Sequence, residues 1–219
     1  MKAFVLTIKN LEESNQAADR CIKSASTFGY KVEKHYGYTP EDDPVNMLKE
    51  LNIPINQFKE KYSYLEKCVA AFLGHRSLWK KSVDLQENVL VLEHDAVFTG
   101  PLPDNVIDST LYDIVSFGTP SYGKWNTPSI LGVGQLTSKQ YFPGAHAYMV
   151  TPYGARQALK KAQTEAGPTD TFFNIKRFPY LKEYYPWPVM ASDSFTTIQR
   201  REGCLAKHNW KDGIGYEII

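Results

Sequence analysis

The chain has 219 residues, 42% of them hydrophobic, a length that buries one substantial core and suits a single domain better than two. Lys and Arg number 25 against 24 Asp and Glu, a formal charge of +1 with no basic block, which argues against nucleic acid or an anionic membrane surface as a partner. No run of residues approaches the roughly 20 apolar positions that a membrane-crossing helix requires.

The first apolar stretch, residues 3–8, is shorter than the core of a signal peptide and is followed by Lys9 and Asn10, so it is predicted as a strand. Ser14 or Asn15 is the expected cap of a helix whose apolar positions Ala18, Cys21, Ile22, Ala25 and Phe28 keep helical spacing until Gly29. A weakly alternating second strand is expected over 31–36. After it, 37–54 reads as a loop holding at most a short helix around 47–51. The clearest helix spans 63–83, with Leu65, Val69, Phe72, Arg76 and Trp79 recurring along one face. An arginine within that stripe calls for a partner, either a structural carboxylate or a ligand phosphate.

Residues 88–92 form a short aliphatic run of the kind covered on both faces of an α/β sheet, and Glu93, His94 and Asp95 follow at once. A further strand is expected over 112–117, and the Gly-, Pro-, Ser- and Thr-rich stretch 121–140 reads as a long surface loop. Next come a strand over 145–151 and a helix capped by Thr151 with Pro152 in its first position. A short helix follows Pro168, and 184–190 and 194–198 read as extended, before a glycine-containing tail. Strands alternating with helices argue for one α/β domain over 1–219. Cys21, Cys68 and Cys204 are odd in number and far apart, which fits buried thiols in a reducing compartment. A cytoplasmic location is the expectation.

A buried strand that ends in two carboxylates one residue apart suits a hard divalent cation at the carboxyl edge of a sheet, although acidic residues also end strands merely because loops are solvated. Extended geometry puts Glu93 and Asp95 on one face and His94 on the other.

The ordered set of motifs is more specific than that pair. Cys68 through Trp79, including Gly74, His75 and Arg76, then Val89 through Ala96, resembles glycosyltransferase family 25, which includes lipopolysaccharide and collagen galactosyltransferases. Residues 112–118, the segment holding Gly144, His146, Tyr148, Gly154 and Ala155, and the Pro168 to Asp170 helix start extend the resemblance over most of the chain. Gly74 stands where that family has serine, and His94 where it has the middle aspartate of its acidic triplet.

The resemblance implies a GT-A type fold, with a Rossmann-like mixed, mostly parallel sheet flanked by helices. A donor-binding part would cover about 1–118 and an acceptor part about 119–219. It further implies a UDP-sugar donor, UDP-galactose or UDP-glucose, a glycan hydroxyl as acceptor, Mn2+ or Mg2+, and inversion at the transferred carbon. Under it Asp95 binds the metal and Glu93 lies near the ribose or the metal. Thr7, His75, Arg76 and Trp79 line the donor site, and His208 is a late metal ligand or an exposed histidine of the tail. Inversion needs one carboxylate to remove the acceptor proton. Asp170 is the expected base, with Asp193 in reserve; otherwise Asp170 only stabilises a helix start. A protein of the same fold that binds nucleotide-sugar or carbohydrate without turnover is the alternative reading.

Overall fold

The computed structural model describes residues 1–59, 63–121, 124–142, 144–192 and 197–198, with the backbone alone of 210–211 and 215–216. His208, Asp193 and most of the strand expected over 194–198 lie outside these residues.

The elements in chain order are β1 (Lys2–Thr7), α1 (Glu12–Ser26), β2 (Val32–Tyr36), α2 (Pro44–Glu50), α3 (Leu65–Leu85), β3 (Val89–Glu93), β4 (Ala96–Phe98), α4 (Asp104–Ile107) and β5 (Ile114–Ser116). They continue as β6 (Gly132–Gln135), β7 (Ala147–Val150), α5 (Pro152–Ala162), α6 (Thr169–Phe172), β8 (Lys182–Tyr185) and β9 (Val189–Ala191), then β10 (Trp210–Lys211) and β11 (Gly215–Tyr216). Among the described residues, β1, β2, β3, β5, β6, β7 and β8 form a seven-stranded sheet in the order β2-β1-β3-β7-β5-β8-β6. β1 runs parallel to β2 and β3, and β5 parallel to β8, while β7 is antiparallel to both β3 and β5 and β6 is antiparallel to β8. The sheet is therefore mixed and mostly parallel, with helices packed on its faces, an α/β architecture compatible with a Rossmann-like fold. The short β4 and β9 pair beside it as an antiparallel ribbon.

Strand alternation sorts the core into two layers. Phe4, Leu6, Val89 and Val91 join the apolar layer that includes Leu73, Trp79, Ala155 and Phe172, beneath α3, α5 and α6. Ala3, Val5, Leu90 and Leu92 join the opposite layer with Ala18, Cys21 and Ala25 of α1. Burying both faces explains why β3 reads as an unbroken aliphatic run.

Three local expectations differ from what forms. α1 starts at Glu12 with Leu11 as its cap residue and no capping side chain, because the Ser14 hydroxyl is drawn instead to the backbone N–H of Ile8, at 2.9 Å. The stretch expected as one long loop contributes β6, whose register is set by pairing with β8 at the edge of the sheet. The short helix expected near 47–51 begins earlier, at Pro44, where Asp43 accepts from the N–H of Asn46. The cap at Thr151 forms as expected, with its hydroxyl accepting from the N–H of Gly154.

Candidate functional site

β1 and β3 end side by side, with Leu6 in register with Glu93, so Thr7 and Glu93 reach the carboxyl edge together. Alternation along β3 then decides where its last side chains go. Glu93 shares the face of Val89 and Val91 and meets α3, where His75 Nε2 lies 3.0 Å from its Oε1. His94 continues the parity of Leu90 and Leu92 onto the α1 side, where its Nδ1 lies 3.0 Å from Ser14 Oγ. Ser14 Oγ is in turn 3.0 Å from Thr7 Oγ1, so Thr7, Ser14 and His94 tie β1, α1 and the end of β3 into one knot.

Asp95 departs from the expected alternation. β3 stops at Glu93, residues 94 and 95 turn, and β4 begins at Ala96. The negative charge of Asp95 is felt by Cys21 and His94 on the α1 side and by Glu93 on the other. Its carbonyl is held by the N–H of Ser192 at 2.8 Å, and Arg20 Nη2 donates to the Ser192 carbonyl at 2.8 Å.

The Glu93 carboxyl is raised well above its ordinary 4.5 by burial, then by the charges of Asp95 and Asp170. His75, 2% exposed, is driven down to about 3 by burial, against a smaller upward pull from Asp170. Asp170 also opposes the burial that lowers Lys139. The short α6 thus brings the charge of Asp170 to the His75 and Glu93 side of the edge, while the N–H of Thr171 donates to its Oδ1 at 2.8 Å.

Trp79 takes an unexpected place. It is fully buried, stacked on Phe172 with ring centroids 5.4 Å apart, and out of reach of any ligand at the edge. Its Nε1–H donates to Tyr148 Oη at 2.7 Å, and Tyr148 Oη lies 3.0 Å from His75 Nδ1. An indole can only donate, so Tyr148 Oη accepts from Trp79. With Glu93 ionised, its carboxylate can only accept, so neutral His75 donates from Nε2 and its Nδ1 accepts the Tyr148 hydrogen. The relay Trp79, Tyr148, His75, Glu93 then runs from the core to the carboxylate.

Two departures from the family pattern have structural counterparts. A Cβ on Gly74 would sit 3.2 Å from Leu6 Cδ2 and 3.7 Å from the Gly37 Cα, so glycine here lets α3 approach the ends of β1 and β2 closely. His94 points away from the His75 and Glu93 side, as alternation required. Arg76 lies in a separate cleft with Tyr38 and Met47, and the carboxylate partner considered for it is not found among the described residues.

Tyr148 and Lys139 are site residues to which sequence reasoning gave no role, and Ser14 is expected from sequence only as a helix cap. Tyr148 shares strand parity with Val150 on the α3 side, a signal that was present, whereas the contact of Ser14 with His94 spans 80 residues and leaves no local trace. His146 is 1% exposed and lies against Gly118 and Gly144. Among the described residues no group of three His, Cys, Asp or Glu side chains is arranged to hold a metal ion, and no helix is long and apolar enough to cross a membrane. Comparison of the chain with protein-family models and with curated proteins gives no match.

Proposed function

We propose that this chain is a metal-dependent, inverting hexosyltransferase of GT-A type, taking a UDP-sugar, galactose or glucose, to a glycan hydroxyl. One observation carries the reading: at the carboxyl edge of the sheet Asp95 and Asp170 each lie within electrostatic reach of Glu93, whose carboxyl is raised by burial and by the charge of the other two. A perturbed carboxylate with further carboxylates beside it, where an α/β sheet opens, marks a candidate binding or catalytic site.

The donor atoms suit Mn2+ or Mg2+, since carboxylate oxygens are hard ligands and concentrated negative charge asks for a cation. Asp95 and the Glu93 oxygen not engaged by His75 would hold it, with donor phosphates and water completing the shell, as such ions commonly keep. Bound there, the cation would neutralise charge on the departing diphosphate. Thr7 and the ends of β1 and β2 would border the nucleoside. His75, donating from Nε2, would orient an ionised Glu93. Asp170 would accept the proton of the acceptor hydroxyl, a contribution of about 10²- to 10⁴-fold.

Isothermal titration with a panel of nucleotide-sugars, with and without Mn2+, tests the reading. UDP-sugar binding should require the cation and be lost in Asp95→Ala, while Asp170→Asn should bind donor like the parent and lose turnover. Failure of every donor to bind, or unchanged metal-supported binding in Asp95→Ala, would overturn it. Binding with neither transfer nor donor hydrolysis would leave the binding-protein alternative.

A further inference from the structure

One residue beyond His75, and so about 100° further round the helix, Arg76 opens into a cleft of about 220 Å3 between α3 and the segment carrying Tyr38, Met47 and Leu51. The guanidinium is partly buried, its Nε has no hydrogen-bond partner among the described residues, and burial lowers its pKa against a smaller upward effect of Tyr38. A desolvated donor left unmatched costs stability, the more so when charged, and a bound acceptor recovers that loss. The neighbours provide no relief. Asp84, the carboxylate on this cleft, is engaged by Lys80 at 2.6 Å, and Lys81 adds a further cation, its Nζ 4.4 Å from the centre of the Phe4 ring.

We propose that this cleft is a binding site for a small phosphomonoester with a short apolar or aromatic body. Three cations, Arg76, Lys80 and Lys81, against the one carboxylate of Asp84 match a dianion. The planar fork of Arg76 is suited to pairing two phosphate oxygens at once. Met47, Leu51 and Leu73 with the ring of Tyr38 give the opposite wall its apolar character, so inorganic phosphate alone would leave that wall uncovered. The volume lies below the roughly 300–1,000 Å3 of pockets for drug-sized ligands, which sets the ligand at the size of a monocyclic phosphate. This site is distinct in charge from the carboxylate edge, and it does not rest on the transferase reading.

The test is calorimetric and NMR titration of the full chain with phenyl phosphate, inorganic phosphate and phenylacetate, in the parent, Arg76→Gln, Arg76→Lys and Glu93→Gln. Phenyl phosphate should bind tighter than either other probe and shift the amides of Tyr38, Leu51 and Leu73. Its affinity should fall at least tenfold in Arg76→Gln and by less in Arg76→Lys, and stay within twofold in Glu93→Gln. Because a desolvated cation is removed, Arg76→Gln should resist urea at least as well as the parent. Equal affinity in Arg76→Gln and parent, shifts confined to Thr7 and Glu93, or lower urea resistance of both Arg76 variants, marking the arginine as structural, would each overturn the proposal.

Discussion

Glu93 and His75 share a hydrogen bond yet respond to acid in opposite senses, and the difference gives the site a readable pH signature. His75 is held near 3 in the fold against an ordinary 6.5, so the unfolded chain takes up its proton first. The stability that His75 confers is complete above 6.5 and drains away as pH falls towards 3, with a ceiling of roughly 5 kcal/mol at about 1.4 kcal/mol per pH unit. Glu93 is raised above 4.5, so the folded chain takes up its proton first, and stability is gained as pH falls through the raised value, in full below 4.5. From 4.5 up to the raised Glu93 value or the ordinary 6.5 of His75, whichever is lower, the two slopes oppose each other. Urea unfolding across this window should give a flatter profile for the parent than for Glu93→Gln, which keeps an acceptor for His75 but no titration. Glu93→Gln should also be the more stable protein at neutral pH, having lost a desolvated charge, while losing metal-supported donor binding. Parallel profiles would refute the assignment. Trp79→Phe tests the relay itself: the ring stack on Phe172 is retained while Tyr148 loses the indole donor. Nitrogen-15 NMR should show His75 protonated on Nε2 in the parent and still so in Trp79→Phe at a pH where Glu93 is ionised, because the carboxylate sets the tautomer; the Nδ1–H form in the parent would overturn that assignment.

At the scale of elements, the site depends on close approach between strand ends. A Cβ added at Gly118 would fall 2.4 Å from His146 Nε2, and a buried imidazole has little room to withdraw. Gly118→Ala should therefore destabilise the fold by about 1–3 kcal/mol, the usual cost of overpacking. Chemical denaturation measures the loss, and a Gly118→Ala protein as stable as the parent would show that the His146 ring does not fix this approach. The same dependence on approach explains what could be read from the residues in advance. The run Val89 to Glu93 declares its strand and its two covered faces, and alternation alone sends His94 away from Glu93. The α3 stripe declares a helix, but whether Trp79 faces a ligand or the core is decided by Phe172 and Phe173, which close over it from far along the chain. β6, written Gly-Val-Gly-Gln, has no alternation of its own and becomes a strand because β8 offers an edge. Arg76 shows the limit of periodicity, since a place on an apolar stripe does not reveal that the neighbouring segment leaves a cleft there.

For the whole molecule, strand order matters more than the division of labour inferred from the resemblance. β7, from the part expected to handle the acceptor, lies between β3 and β5, from the part expected to bind the donor. It is hydrogen-bonded to both and buried along its whole length. Its Tyr148 completes the relay to Glu93, so the second part of the chain supplies a side chain that positions the first part's carboxylate. A boundary near residue 118 would thus cut through the centre of one sheet and expose the inner edges of β3 and β5, which is the opposite of a domain linker. Two consequences can be measured. The full chain should unfold in one transition, with tryptophan fluorescence and far-UV circular dichroism coincident in urea. A fragment of residues 1–118 should lack dispersed amide resonances and associate through its unpaired strands. If that fragment folded as a monomer with its own sharp transition, the sheet would have to be two separable units, and the coupling of Tyr148 to Glu93 would have to be incidental to the site.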